Sequence, residues 1–216
     1  GVLLPVIAQH WQANKAQAQQ SFIMSLRYVS LLVFPVVWLI SAFAYEGLQG
    51  WLDARFAQQG TMVLQWLCIG VWINCLAQMA ITVVHGAGNA RFAALLHLAE
   101  LPLYLLGLWW AAHQAGLWGV ACVWTLRAGV DAACLFCWCR QHNMLHTAVL
   151  RVLIAGGVLS VGGMAMLMMC DPLWLRASIA AVGLVAFGLG AWYVLCDDAM
   201  RQFIRRLLRT APKRSP

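Results

Sequence analysis

An all-α, polytopic bundle of about six membrane-spanning helices is what this sequence predicts, and three observations predict it. Hydrophobic residues make up 63% of the 216 residues and charged residues only 10%, whereas a soluble domain carries about a quarter charged residues. The mean hydropathy is +0.76. Apolar runs of about 20 residues, the length a helix needs to cross a bilayer, recur along the whole chain. Only helices and closed barrels satisfy their own backbone in hydrocarbon. The runs are continuous rather than alternating, which selects helices over a barrel.

The spans read as 22–45, 62–85, 92–113, 117–139, 148–169 and 174–196, after an apolar stretch at 1–10. That first stretch, Gly1 to His10, begins without Met, contains Pro5 and has no basic leader. It reads as the end of a truncated helix, and the chain as the C-terminal part of a longer protein. The organisation expected is a helical unit over 1–140, a C-terminal helix pair over 141–196, and a basic tail over 197–216. Segment 46–61 places Trp51, Leu52 and Phe56 at helical spacing and is expected to lie along the interface as a short amphipathic helix.

Orientation follows from the basic residues. Lys15, Arg27, Arg91, Arg140, Arg151, Arg201, Arg205, Arg206, Arg209, Lys213 and Arg214 fall on one side, and only Arg55 and Arg176 on the other. The basic side faces the cytoplasm, which puts the C-terminus there too. This distribution explains the net charge of +7 and removes nucleic acid as a partner, since the charges trace membrane loops. The tail from Arg201 to Arg209 interleaves Phe203, Ile204, Leu207 and Leu208 with its charges, a pattern suited to anionic lipid headgroups.

Three charges interrupt the spans. Glu100 lies in 92–113, and Arg127 and Asp131 lie in 117–139. A charge at the bilayer centre costs roughly 2.5–3.5 kcal/mol on insertion scales. The two spans are joined by a tight turn, so they should be antiparallel neighbours with all three groups at similar depth. Two readings fit. One is a charged cluster on a water-filled cavity that offers Arg127 to an anionic substrate. The other is a self-neutralised network that only fixes helix packing. His97 and Tyr104 share the Glu100 face at i−3 and i+4 and extend its polar wall. Asn74, Gln78, Thr82 and His85 form a polar stripe on span 62–85, suited either to lining a cavity or to bonding neighbouring helices.

Other motifs carry less. Pro35 and Pro102 interrupt spans and should kink them. Gly156, Ser160 and Gly163, with Ala186 and Gly190, are spaced for close packing of the last two helices. Cys134, Cys137 and Cys139 point to different faces of one helix, and no second pair follows, so no metal site is expected there. Cys139, His142 and His146 have the residue types for a zinc site at the membrane surface, but an ordinary interfacial loop is the reading preferred. The eight cysteines lie mostly in apolar runs and behave as small apolar residues. Neither a cofactor nor a metal is expected. No catalytic arrangement of Ser, His and Asp or of paired carboxylates lies outside the spans, and the loops are short, which leaves a membrane-embedded polysaccharide polymerase or ligase as the lesser alternative to a transporter.

In order and spacing, several passages resemble a known family. They are Leu4-Pro5 before a basic loop, Phe34-Pro35 in mid-span, Gly50-Trp51 to Phe56-Ala57, the Gly88 to Arg91 turn, His97-Leu-Ala-Glu-Leu-Pro-Leu-Tyr104, and Gly116-Leu-Trp-Gly-Val-Ala121 followed by Arg127 and Asp131. Over about residues 1–140 the chain resembles the C-terminal half of polysaccharide flippases of the O-antigen translocase type, within the multidrug/oligosaccharidyl-lipid/polysaccharide exporter superfamily. The resemblance implies two six-helix lobes around a cavity in the bacterial inner membrane, with the N-terminal lobe supplied by the rest of the protein. It implies transport rather than catalysis, with undecaprenyl-diphosphate-linked oligosaccharide as the substrate turned outward by alternating access. A multidrug exporter and a peptidoglycan-precursor flippase are the alternatives within the superfamily. The pathway residues to watch are Arg127, Glu100, Asp131, His97, Tyr104, Asn74 and Gln78.

Overall fold

The structure, a computed structural model, describes residues 5, 7, 8, 11, 14–145, 147–170 and 172–190, with the side chains of 147–156 and 159 left aside. The basic tail and His146 lie outside the described residues. Every regular element among the described residues is a helix. They are α1 (Lys15–Ala42), α2 (Ala44–Trp51), α3 (Ala54–Gly86), α4 (Ala90–Gln141), α5 (Thr147–Met168) and α6 (Leu173–Gly190). Residues 5, 7, 8 and 11 are helical as well. By length and composition, α1, α3, α4 and α6 are each sufficient to cross a membrane.

The local signals that start and stop these helices are polar caps and glycines. The Asn14 side chain accepts a hydrogen bond from the Gln17 backbone N–H at 3.3 Å and opens α1, seven residues before the expected start. Asp53 does the same for α3, accepting from the Phe56 N–H at 2.6 Å. A side-chain acceptor at this position satisfies one of the orphan donors of the first turn. The Asp53 cap corrects the reading of segment 46–61. The helix α2 ends at Trp51, and residues from Ala54 onward belong to α3.

Although assigned as one helix of 52 residues, α4 departs from helical geometry at Gly116, with φ 64° and ψ −147°. Its two arms fold against each other. His97 lies near Asp131, Glu100 near Arg127, and Tyr104 beneath Arg127. A Cβ built on Gly107 would rest 3.2 Å from Val123, and one on Gly119 3.3 Å from the Ala111 Cβ. These pairings close toward Gly116, so α4 is an antiparallel helical hairpin, as the tight turn at 114–116 predicts. Both α1 and α4 continue as helix through Pro35 and Pro102. The break in regular dihedrals falls at the glycine and not at either proline.

At the centre stands α3, which touches α1, α2, α4 and α5. Its Gly70 admits the Trp124 ring of α4 where any Cβ would collide. A second knot holds α6 to α1. Phe34 stacks on Phe187 with centroids 4.2 Å apart and meets Trp72 edge-on at 5.9 Å. The Trp38 indole N–H donates to the Ala180 carbonyl at 3.0 Å. Its ring fills the space over Gly163 and Gly183. The small residues of the last two helices therefore receive Trp38 of α1, whereas Gly190 has nothing within 4 Å of its would-be Cβ. Gly156 lies among the side chains left aside.

Candidate functional site

The hairpin α4 carries the densest group of ionisable side chains among the described residues. Glu100 is ten residues from the start of α4 and Asp131 ten from its end, about 15 Å in each case at 1.5 Å per residue. Both arms thus deliver their charges to the middle of a layer about 30 Å thick.

The geometry is specific. Arg127 Nε lies 3.4 Å from Glu100 Oε2. Its guanidinium carbon stands 4.9 Å over the Tyr104 ring, within reach of a cation–π attraction. The close ionic partner of Arg127 is thus across the hairpin and not Asp131 on its own arm. His97 Nδ1 lies 3.6 Å from Asp131 Oδ1 and 3.9 Å from a Glu100 oxygen. The Asp131 and Glu100 side chains are 11% and 12% exposed, those of Arg127 and His97 34% and 38%. The carboxylates are therefore enclosed while the guanidinium and imidazole reach the surface of the hairpin.

None of the polar atoms that face inward is saturated. His97 Nδ1, both Glu100 oxygens, Arg127 Nε and Asp131 Oδ1 make no hydrogen bond among the described residues. With a neutral imidazole, two carboxylates against one guanidinium leave the cluster at −1. Charges enclosed without full hydrogen bonding are costly.

Of the predicted pathway residues, the structure brings together His97, Glu100, Tyr104, Arg127 and Asp131. Asn74 is half-buried and Gln78 exposed, and neither side chain joins the cluster by a hydrogen bond among the described residues. The Gln78 backbone carbonyl accepts instead from Thr82 Oγ1 at 2.7 Å. Interhelical polar bonding falls on residues the sequence did not single out. Gln65 Nε2 donates to the Ser41 carbonyl at 3.1 Å, and Thr125 Oγ1 to the Trp66 carbonyl at 2.8 Å. Their signal was present, since a polar side chain inside an apolar run must find a partner. Arg176 was read only as a loop charge, yet it is 8% exposed and pairs with Glu46 at 2.5 Å, joining α6 to α2.

No protein-family model matches the chain. Over 113 residues it is 32% identical to a Shigella flexneri protein named "Putative O-antigen transporter". The match covers 51% of this chain and 27% of that protein. The chain, whose regular elements among the described residues are all helices, four of them fit to cross a membrane, is thus similar over half its length to a protein named for transport.

Proposed function

We propose that the chain is part of a bacterial inner-membrane transporter that moves undecaprenyl-diphosphate-linked oligosaccharide from the cytoplasmic to the periplasmic leaflet by alternating access. The observation that carries this reading is the cluster in α4. Four ionisable groups sit midway along two antiparallel apolar arms, and intramembrane ionisable groups mark substrate and ion pathways. Arg127 is held from below by Tyr104 and from the side by Glu100, with its outer edge open. A planar guanidinium so presented suits the paired oxygens of a diphosphate. The similarity to a protein named for O-antigen transport supports the same substrate class.

In this reading the chain crosses the bilayer six times, through α1, α3, the two arms of α4, α5 and α6. Residues 1–140 form helices of one lobe, 141–196 a C-terminal pair, and the tail is cytoplasmic. The match spans only 27% of the relative, and a second lobe, with further cationic groups, completes the cavity.

The test is made in cells lacking the full-length gene. A membrane-impermeant lectin or glycosidase is applied to spheroplasts to find which leaflet holds the lipid-linked oligosaccharide. Accumulation on the cytoplasmic face, reversed by the intact gene, is expected. Unchanged sidedness would remove the lipid-linked glycan as substrate and leave drug export, measured next by efflux.

A further inference from the structure

The cluster in α4 has a second property that substrate transport does not require. His97 Nδ1, a Glu100 carboxylate oxygen and an Asp131 carboxylate oxygen all lie within 4.8 Å of one another. Two of the three separations are 3.6 and 3.9 Å. Donors bound to one ion at roughly 2.0–2.2 Å in tetrahedral geometry stand about 3.4 Å apart. The two histidine separations need a contraction of only a few tenths of an ångström, and the two carboxylate oxygens, within 4.8 Å of each other, close onto one ion by rotation of their side chains.

A second observation points into the same space. Asp131 is 7% exposed, and its Oδ1, aimed at His97, makes no hydrogen bond among the described residues. A buried carboxylate oxygen without a donor calls for a cation or a proton. The imidazole nitrogen opposite it is likewise unsatisfied. The donor set is one nitrogen and two oxygens. That mixture suits borderline divalent ions over hard ones such as Ca2+ and Mg2+, which take oxygen ligands.

We propose that His97, Glu100 and Asp131 form a three-ligand site for a divalent cation of borderline softness, of the Zn2+ or Co2+ type, held between the arms of the α4 hairpin. The ion takes Glu100 from Arg127, whose guanidinium stays over the Tyr104 ring and turns its nitrogens outward. Occupancy moves the cluster from −1 to +1 and so favours an anion beside Arg127. The remaining coordination positions are open to water or to such an anion. The site stands on the hairpin geometry and does not depend on the transported substrate.

Co2+ titration of the full-length protein in detergent tests this directly, because the visible d–d bands of Co2+ report coordination. One equivalent is expected to bind with bands of a nitrogen–oxygen site, and Zn2+ to displace it. His97→Ala and Asp131→Asn should each abolish that equivalent, while His113→Ala and His142→Ala retain it. Bands unchanged in His97→Ala, or an intense near-ultraviolet thiolate transition in the parent protein, would overturn the proposal. A measurement on the unsubstituted protein guards against misfolded variants. Zn2+ should slow diethylpyrocarbonate modification of His97, read by mass spectrometry, and leave His113 unaffected. Equal rates at His97 with and without Zn2+ would also overturn it.

Discussion

Removing Arg127 and removing Trp38 disturb the molecule through different forces. Arg127→Ala leaves Glu100 without its guanidinium partner, with His97 the remaining basic side chain against both carboxylates. Unpairing enclosed polar groups costs about 1–3 kcal/mol, lessened here because a third of the arginine side chain is exposed. The protein should remain inserted, melt a few degrees lower by fluorescence-detected size exclusion, and lose transport in the leaflet assay. Asp131→Ala combined with Arg127→Ala should not restore transport. Restored transport and stability in the double variant would mean that the charges only neutralise one another. Trp38 contributes shape and one hydrogen bond. Trp38→Phe loses the N–H donated to Ala180, a cost of about 1 kcal/mol. Trp38→Ala also opens a void over Gly163 and Gly183 and should cost about 3–5 kcal/mol. Transport in Trp38→Phe should persist, so stability and transport separate at this residue and coincide at Arg127.

At the level of elements, the α4 hairpin depends on one backbone position. Gly116 adopts φ 64° and ψ −147°, a region nearly closed to residues with a Cβ. Gly116→Ala should cost about 1–3 kcal/mol and lower the thermal midpoint. It should also weaken Co2+ binding, because the fold at 116 sets the register of His97 against Asp131. Gly129→Ala is the internal control. Gly129 lies on the second arm in helical geometry, and nothing lies within 4 Å of its would-be Cβ. There alanine should be neutral or stabilise by up to about 1 kcal/mol. Equal destabilisation by the two substitutions would contradict a turn specific to Gly116. The hairpin was legible in the sequence because two apolar runs flank Gly116 with only a few residues between them. The cluster was legible for a related reason, since charges inside apolar runs stand out against hydrocarbon. What residue spacing left open was the partner of each charge. The sequence set Glu100, Arg127 and Asp131 at similar depth without assigning partners, whereas the packing of the arms sets Arg127 against Glu100 and His97 against Asp131. The role of the small residues was likewise set by tertiary packing, because the Trp38 ring that fills their groove comes from more than 120 residues away.

At the scale of the whole molecule, the exposed tryptophans gather at the end with few basic residues. Trp51, Trp109, Trp110, Trp118 and Trp174 are exposed. All five lie at the end that carries Arg55, Arg176 and the Gly116 turn, where an aromatic belt marks an interface. At the opposite end, Trp138 stacks on Trp11 and on His142, and Lys15 lies over the Trp11 ring. The Glu46–Arg176 pair is at the tryptophan-bearing end, as expected if α1 and α5 both run toward it. If the basic end is cytoplasmic, as proposed from the distribution of Lys and Arg, the Gly116 turn is expected in the periplasm. Alkaline phosphatase inserted after Asp53 or after Gly116 should therefore be active, and after Gly88 or Asn143 inactive. The insertion at Gly116 discriminates most sharply. A single unfolded-back helix of 52 residues would be about 78 Å long, far more than a bilayer accepts, and would leave no periplasmic turn at its middle. Inactive phosphatase at Gly116, with active enzyme at Asp53, would break the hairpin topology and with it the meeting of His97, Glu100, Arg127 and Asp131 on which the transport reading rests.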